Sequence, residues 1–567
     1  MASARDLKDA GETSIIDKQT GQVYELDAES LSIVDASSGD PSAHKLKKGL
    51  NARHIQLIAL GGCIGTGLFV GTSSTLHTCG PAGLFTAYLI ISVVIYAVMN
   101  ALGEMVCYLP GSGNDTGGSI SKIVSRYVDP SLGFATGWNY YYTYVILVAA
   151  ECTAASGVVT YWTTAVPSGV WIAIFLVVCT LLNFGPVKYY GESEFWFAII
   201  KILCIVGLLI VSFILFWGGG PNHDRLGFRY WKHPGAFTYH ITSGSTGQFL
   251  DIWTGVIKGG FAFILGPELV ALTSAEALDS RRNIAKASKR FVYRLIFFYV
   301  TSSLAIGVIV AYNDKNLASA LSQGKSGAAS SPFVIGIQNA GIKGLPHIIN
   351  ACILTSAWSS GNSYLFAASR SLLSMAEDGT APKVFAKINR FGVPYNAVGL
   401  SGLLSCLAFL NVSSGAANVF AWFSNISTIS GFIGWICIGV AYLRFREAIF
   451  FRGLFDRVPF KTPFQPYSTY FFIVVVSVIC LTNGYVSFIP KFWNAADFVA
   501  AYITLPIFVA LWVGHKLCTR TWDCWAYPVA EIDVTTGLVE IEEETKELDA
   551  KRQPPTGKFE KFVEWLL

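Results

Sequence analysis

Long apolar runs restrict the folds that this chain can adopt. A helix needs about 20 apolar residues to cross the hydrocarbon core of a bilayer. Because 52% of the residues are hydrophobic and only 14% are charged, a soluble globular protein of 567 residues is excluded. The sequence predicts an all-α integral membrane protein with twelve transmembrane helices, at about 54–76, 81–108, 130–162, 168–187, 194–217, 251–274, 291–312, 345–375, 396–411, 416–443, 467–488 and 495–517.

The distribution of lysine and arginine predicts the orientation of these helices. If both termini are cytosolic, we count 21 Lys and Arg residues in the N-terminal flank and inner loops, against 7 in the outer loops. Such an excess in cytosolic loops is typical of membrane proteins. We therefore predict a disordered cytosolic N-terminal tail at 1–44, a membrane domain at 45–517 and a cytosolic C-terminal tail at 518–567.

Glycine interrupts the first apolar run. Five of the eleven residues from 61 to 71 are glycine, and each glycine costs a helix interior about 1 kcal/mol relative to alanine. Backbone released from a helix inside a membrane is tolerated only where protein covers it or where it lines a cavity. We predict that the helix breaks here and that the N–H groups at the start of its second half face a small anionic group.

A second interrupted run follows at 259–269, where Gly266 precedes Pro267. Proline removes a backbone donor and kinks a helix. Two interrupted helices in corresponding halves of a membrane chain point to the binding site of a transporter. The alternative is that both runs are packing faces rich in small residues, but such packing needs neither Gly-Thr-Gly nor Gly-Pro.

An acid stands in the third predicted span among small residues. The segment holds Glu151, Thr153 and Ser156, and an ionisable side chain in a membrane core is a functional candidate by default. Because its small neighbours leave room for a ligand, we predict that all three line a pocket and that Glu151 couples protons. The alternative is an acid that only ties helices together.

Two lysines also fall inside predicted spans. Lys201 lies about seven residues, roughly 10 Å, from the inner edge of its helix. We predict that it lies against the broken first helix and takes part in proton coupling, unless it snorkels to the interface. Lys258 and Phe261 share a helical face, and we predict that both contact the substrate and that Lys258 is buried. The alternative for Lys258 is that a partner carboxylate holds it. Glu268, just after the second break, is a further candidate for proton coupling.

Polar faces mark the eighth and tenth predicted spans. Side chains of this kind are candidates for a gate or pocket wall, although they can also form hydrogen bonds between neighbouring helices. The candidates are Trp358, Ser359, Asn362, Trp422 and Asn425.

Several other functions are disfavoured. We find no nucleophile, metal cluster or phosphate loop, so we predict neither an enzyme nor a cofactor. A channel would show a repeated pore-lining element, and a nutrient receptor would carry a long signalling extension.

These motifs resemble those of fungal amino-acid permeases of the amino acid–polyamine–organocation superfamily, in the yeast amino acid transporter family. The likeness covers about residues 45–567. It rests on Gly65-Thr-Gly-Leu-Phe69, Pro186-Val-Lys-Tyr-Tyr-Gly-Glu192, Gly227-Phe-Arg-Tyr-Trp231, Pro267-Glu-Leu-Val270 and Ser331-Pro-Phe333. The resemblance implies two inverted five-helix repeats at about 54–217 and 251–443, with discontinuous helices 1 and 6, and two peripheral helices at about 467–517.

Some segments are most similar to family members that take up proline, above all 150–157, 261–268 and 531–540. The resemblance implies proton-coupled uptake of L-proline at the plasma membrane, with alanine, glycine and GABA as further candidate substrates. The main alternative is a broad neutral or a basic amino-acid permease. A basic substrate would need an extra acid near the pocket.

The resemblance also implies roles for individual residues. The substrate carboxylate would meet the backbone at Ile64, Gly65, Thr66 and Gly67. The amine would meet carbonyls around Phe261, Phe263 and Ile264. Lys201 would occupy the place that a sodium ion takes in sodium-coupled relatives. Ubiquitin-ligase machinery would act on the cytosolic tails, with Lys8 and Lys18 as candidate acceptors.

Overall fold

The computed structural model describes residues 13–16, 23–26, 57, 61–62, 64–110, 119–277, 279–322, 331–414, 416–550 and 557. The chain forms two compact units, Met1–His44 and Lys45–Leu567.

The first unit contains an antiparallel strand pair. Strand β1, Thr13–Ile16, pairs with β2, Val23–Leu26. β-branched and aromatic residues in both segments favour strands, so these eight residues depart from the predicted disorder and from the all-α fold class. The rest of 1–44, with Lys8 and Lys18, lies outside the described residues.

Every regular element described in the second unit is a helix. The α-helices of its first half are α1 (Thr72–Tyr108), α2 (Ile120–Tyr127), α3 (Pro130–Val159), α4 (Ser168–Phe184), α5 (Val187–Phe216), α6 (Arg229–Lys232), α7 (Gly244–Gly259), α8 (Gly266–Leu272) and α9 (Ser280–Ile309). Those of its second half are α10 (Lys315–Ser322), α11 (Pro332–Asn339), α12 (Leu345–Glu377), α13 (Tyr395–Leu404), α14 (Asn411–Ser414), α15 (Ala416–Phe451), α16 (Tyr467–Thr482), α17 (Ala495–Tyr502), α18 (Thr504–Thr519) and α19 (Leu538–Ala550).

Shorter turns of helix join or extend these elements. A π-helical turn is formed by Gly67–Gly71. The 3₁₀ turns are Gly260–Ala262, Thr273–Glu276, Lys383–Ala386, Ser405–Leu410, Phe455–Arg457, Tyr485–Phe488, Pro490–Phe492 and Val529–Glu531.

Each predicted span from the second to the twelfth coincides with helical structure. Among the described residues, seven helices are long and apolar enough to cross a membrane: Gly67–Tyr108, Pro130–Val159, Val187–Phe216, Gly244–Leu272, Ser280–Ile309, Val419–Phe451 and Ala495–Thr519. Three apolar helices are shorter, namely Ser168–Phe184, Tyr395–Leu410 and Tyr467–Thr482. Part of the first predicted span lies outside the described residues.

The first two predicted spans meet at a sharp kink. Gly80 has φ 74° and ψ 173° inside α1, directly before Pro81. Only glycine adopts such a φ without strain, and a Cβ at Gly80 would lie 2.6 Å from the carbonyl oxygen of Ala236. The helix therefore changes direction here without a separate loop.

The centre of the second unit is built around α3, which packs against α12 and α15. Other helices carry exposed apolar side chains, such as Leu181 on α4 (63% exposed) and Leu203 on α5 (67% exposed). Apolar surface of this extent is typical of contact with lipid. The packing thus separates a polar-lined interior around α3 from an apolar outer surface.

The segment after α18 belongs to the same compact unit as the membrane helices. The N–H of Tyr527 donates to the carbonyl of Val128, and Arg126 pairs with Asp533 at 2.8 Å. Ile532 and Val534 are fully buried. The C-terminal segment is therefore docked on the helices, at least as far as Ala550.

Candidate functional site

The first apolar run is interrupted where its glycines predict. The backbone bends at Ile64 and Gly65 and becomes helical again at Thr66, continuing through the π-helical turn into α1. A Cβ at Gly67 would lie 2.9 Å from Cα of Ala262. The predicted break is confirmed, and the absent side chain at Gly67 lets the two interrupted segments touch.

The second run is also broken. Helix α7 ends at Gly259, a 3₁₀ turn follows, and Leu265 takes the left-handed conformation with φ 64° before α8 begins at Gly266. Proline is tolerated in the first turn of a helix, where its missing N–H is not needed. Pro267 therefore opens the second half of the broken helix rather than kinking a continuous one.

Side chains of α12 satisfy the carbonyls released at the first break. Ser356 donates to the Ile64 carbonyl at 2.8 Å, and Tyr364 donates to that of Gly62 at 2.9 Å. Buried backbone groups need such partners. Part of the polar face predicted on the eighth span therefore supports the broken helix. Tyr364 was not among the predicted site residues.

Lys201 lies against the same break. Its buried Nζ donates to the carbonyl of Gly61 and, at 3.2 Å, to Oγ of Ser360. This is the predicted location, and the snorkelling alternative is wrong because the ammonium points into the protein. Its role in proton coupling stays a prediction.

The carboxyl group of Glu151 reaches the backbone of the broken helix. Its Oε1 accepts a hydrogen bond from the N–H of Thr66 at 3.4 Å. A Cβ at Gly65 would lie 2.6 Å from the same oxygen. Oε2 is buried without a hydrogen-bond partner among the described residues. Glu151 therefore takes one of the N–H donors that the resemblance assigns to a substrate carboxylate.

The two small residues after Glu151 differ in their surroundings. Ser156 donates to the Thr153 carbonyl at 2.8 Å and accepts from Nδ2 of Asn411 at 3.4 Å. The hydroxyl of Thr153 is buried and, among the described residues, has no hydrogen-bond partner. Ser156 thus joins α3 to Asn411, while Thr153 retains an unused polar atom.

Lys258 and Phe261 share a face, as predicted, but Lys258 is not buried. Its side chain is exposed and donates to Oγ1 of Thr78 at 2.8 Å. The prediction of burial is wrong because the neighbouring helices leave this face of α7 uncovered beside α1. Phe261 is half-buried, and its ring meets that of Phe420 edge-on with centroids 5.6 Å apart.

The residues after Phe261 are packed into the core. Phe263 contacts the rings of Tyr88 and Tyr299, with centroids 5.2 and 4.6 Å apart. Tyr299 also donates to the carbonyl of Ala262 at 2.8 Å. Ile264 is buried beside Gly431. A protein hydroxyl therefore holds one of the carbonyls in the predicted amine-binding stretch.

Glu268 lies in the first turn of α8 and is fully buried. Its Oε1 accepts from the Tyr140 hydroxyl at 3.0 Å and from Nε1 of Trp435 at 2.8 Å. Oε2 lacks a hydrogen-bond partner among the described residues. The acid therefore joins the second broken helix to α3 and α15 and keeps one oxygen available.

The predicted gate residues fall into two groups. Trp358 packs against Phe175 of α4, with ring centroids 5.9 Å apart. On α15, Trp422 donates to Asp497 at 3.4 Å, and Asn425 is half-buried on the same helix. Trp358 thus lies toward α4, while Trp422 lies toward α17.

Sequence reasoning missed Glu194. Its carboxyl is fully buried on α5 and accepts from Ser359 at 2.6 Å and from Nδ2 of Asn362 at 2.8 Å. Ser359 and Asn362 therefore serve this acid. A signal was present, since Glu194 precedes Lys201 by seven residues and thus shares its helical face.

In the described part of the chain, no group of three or more His, Cys, Asp and Glu side chains is placed to hold a metal ion.

Comparisons with known proteins agree with this architecture. The family described as Amino acid permease matches residues 54–526. The chain is 70% identical over 545 residues to the proline-specific permease of Saccharomyces cerevisiae, covering 96% of this chain and 86% of the relative. It is 52% identical over 508 residues to the proline-specific permease of Emericella nidulans, covering 90% and 91%.

A crystal structure of an Eremococcus coleocola manganese transporter, in complex with an aromatic bis-isothiourea substituted compound, is similar with a TM-score of 0.51. It covers 83% of this chain and 94% of that chain at 13% identity, so the likeness concerns the fold alone. On the family match and the identities above, this chain belongs to the amino acid permease family and is a multi-pass membrane transporter, not an enzyme.

Proposed function

We propose that this protein takes up L-proline across the plasma membrane together with a proton. The assignment of proline as the substrate rests on the 70% identity to a proline-specific permease over 96% of this chain. Proline also suits the site chemically, because its ring is apolar and its secondary ammonium has only two N–H donors. The half-buried ring of Phe261 offers an apolar surface beside the breaks.

Competition for one backbone donor supports proton coupling. Glu151 accepts from the Thr66 N–H, and an ionised carboxylate makes the stronger hydrogen bond there. A substrate carboxylate that needs this donor must displace Glu151. Protonation of Glu151 removes its charge and weakens its hold on Thr66, so proline and the proton bind together.

Lys201 supplies a fixed cation beside the break. Because its ammonium binds the Gly61 carbonyl, it takes the place that a sodium ion would need. Uptake is therefore independent of sodium. Glu268, whose Oε2 has no hydrogen-bond partner among the described residues, is a second candidate for the transported proton.

Other amino acids match the site less well than proline. Alanine, glycine and GABA have the same charged ends as proline but offer less apolar surface to Phe261. A basic substrate would need an acid for its side chain. The further acid beside the break, Glu194, already accepts two hydrogen bonds and is fully buried. A broad neutral or basic permease is thus the weaker alternative.

The membrane arrangement is part of the proposal. We propose twelve spans in two inverted repeats at about 54–217 and 251–443, with two further helices at about 467–517. Seven long and three shorter apolar helices among the described residues support this arrangement. Both termini are cytosolic, and ubiquitin-ligase machinery acts on the tails.

Competitive uptake tests this function. Labelled proline is supplied to cells that lack their own proline uptake, at two pH values, with unlabelled alanine, GABA or lysine as competitors. We expect faster uptake at the lower pH, full competition by proline, and no change when choline replaces sodium. Failure to take up proline, or collapse of uptake without sodium, would contradict the proposal.

A further inference from the structure

Glu194 is a buried acid that the proposed mechanism does not use. We propose that Glu194 and Glu151 share one proton across Lys201, and that the transported proton moves from Glu151 to Glu194. This inference rests on the proposed proton-coupled function and adds a residue to it.

The three ionisable groups lie around the first break, with Ser360 and the backbone at Gly61 and Gly65 near them. Around Gly65, a Cβ would lie 2.6 Å from Oε1 of Glu151 and 3.0 Å from Oγ of Ser360. Ser360 accepts from Lys201, which also donates to the Gly61 carbonyl. Beyond Gly61, the corresponding Cβ position lies 3.9 Å from Oε2 of Glu194. Lys201 therefore contacts groups that lie near each acid, and its charge acts on both of them.

The cluster of Glu151, Glu194 and Lys201 is electrically neutral only when one of the two acids is protonated. Glu151, Glu194 and Lys201 are all buried, and unbalanced charge is costly in such an environment. With both acids ionised, the cluster carries a net charge of −1. One proton held by either acid makes it neutral, so that proton can exchange between them without changing the total charge.

The groups facing Glu194 from other helices add no compensating charge. From α12 it is approached by Ser359, Asn362 and Ser363. From α4 the titratable neighbour is the thiol of Cys179. Lys201, on the same helix as Glu194, is the one cation that these contacts include. The charge state of Glu194 is therefore linked to Lys201 and, through it, to Glu151.

The hydrogen bonds of Glu194 suit both of its protonation states. Nδ2 of Asn183 donates to Oδ1 of Asn362 at 2.8 Å, which leaves the Asn362 amide to donate to Glu194. Ser359 can donate to an ionised carboxylate or, after its hydroxyl rotates, accept from a protonated one. The carboxyl group can thus gain and lose a proton without losing its partners.

Movement of the proton from Glu151 to Glu194 would promote release of the substrate. Lys201 gives one proton to the Glu194 carboxylate as it accepts one from the protonated Glu151, so the lysine charge is unchanged. Glu151 is then ionised and takes back the N–H of Thr66. The substrate carboxylate loses this donor and dissociates.

The test compares two activities of purified protein in liposomes: proline uptake driven by an inward proton gradient, and proline exchange at equal pH on both sides. Exchange moves no net proton, because proline can also leave while Glu151 keeps its proton. We therefore expect Glu194→Gln to retain exchange within about threefold and to lose at least tenfold in stimulation by the proton gradient. Glu194→Asp should retain stimulation, with a shifted pH profile. Glu447→Gln is the control acid and should leave both activities unchanged, because Glu447 is exposed on α15 and surface ion pairs contribute little.

The outcomes separate this inference from the proposed function. Full proton stimulation in Glu194→Gln overturns the inference, and so does equal loss of exchange in the Gln and Asp variants, which indicates a structural role. A further outcome is that the Gln variant loses both activities while the Asp variant keeps both. In that case, a shifted pH profile of uptake in Glu194→Asp supports the inference, and an unshifted profile overturns it. Wild-type protein that fails to exchange proline overturns the proposed substrate, and wild-type exchange without proton stimulation overturns the proposed coupling.

Discussion

The ammonium of Lys201 donates a hydrogen bond to the carbonyl oxygen of Gly61, at the point where the first helix breaks. This contact joins residues 140 positions apart and ties α5 to a carbonyl just before the break, which lipid could not satisfy. The same ammonium reaches Ser360 of α12. One buried cation therefore connects three elements of the site.

Replacing Lys201 with Met should abolish uptake. The change leaves the Gly61 carbonyl without its cation and two nearby acids without a counter-charge, and breaking a buried charge pair costs about 3–5 kcal/mol. Uptake at matched surface expression and thermal unfolding of the solubilised protein are the measurements. Lys188→Met, exposed on the same helix, is the control. Wild-type uptake by Lys201→Met would show that the lysine is dispensable.

A methyl group at Gly67 should push the two broken helices apart. Its Cβ would meet Cα of Ala262 at 2.9 Å and Cδ1 of Phe261 at 3.2 Å, and overpacking of this kind costs about 1–3 kcal/mol. We expect Gly67→Ala to reach the membrane but lose most proline uptake. Gly207→Ala is the control, because nothing lies within 4 Å of its Cβ and alanine favours the helix. Equal uptake by the two variants would refute the close approach.

Shortening Phe261 should weaken substrate binding. If its half-buried ring covers the pyrrolidine ring, Phe261→Ala loses about 1–3 kcal/mol of apolar contact, or roughly 5- to 150-fold in apparent affinity. Tyr or Trp should be tolerated better than Ala. Concentration dependence of uptake measures this, with Phe213→Ala on the exposed face of α5 as control. An unchanged affinity in Phe261→Ala would place the substrate elsewhere.

The C-terminal segment should stay docked on mild acidification. Burial alone raises the pKa of Asp533, but Arg126 and the N–H groups of Thr536 and Thr535 outweigh it and hold that pKa below its usual value. A lowered folded-state pKa stabilises the folded form above the unfolded value, about 3.9, and this contribution is lost only as the pH falls through the lowered pKa.

Amide hydrogen exchange of residues 527–550 checks this prediction. We expect no change between pH 7.5 and 5.5 after correction for intrinsic rates, but faster exchange in Asp533→Asn. Asp549→Asn is the control, because its pair with Arg282 is exposed and 3.9 Å long, and such pairs contribute little. Release of the segment at pH 5.5 in the wild type would contradict the prediction.

The sequence by itself determined the membrane class, the helices and both breaks. These features follow from local chemistry, because apolar runs set the spans and glycine or proline raises the cost of continuing a helix. The breaks at Gly65 and Leu265 fall within the stretches where those residues cluster. The depth of Lys201 in the fifth span was compatible with a position against the first break and with snorkelling, and the structure shows the first of these.

Only the tertiary structure decided which side chains meet. Glu151 reaches Thr66 across 85 residues, and Ser359 reaches Glu194 across 165. Periodicity shows that a residue lies on a polar face, but it does not show which helix that face meets, and so Ser359 and Asn362 were predicted for a gate. Lys258 was expected to be buried because hydropathy cannot distinguish a helix face that meets protein from one that protein leaves uncovered. Contacts between distant segments depend on how the helices pack, and that packing is absent from any local pattern.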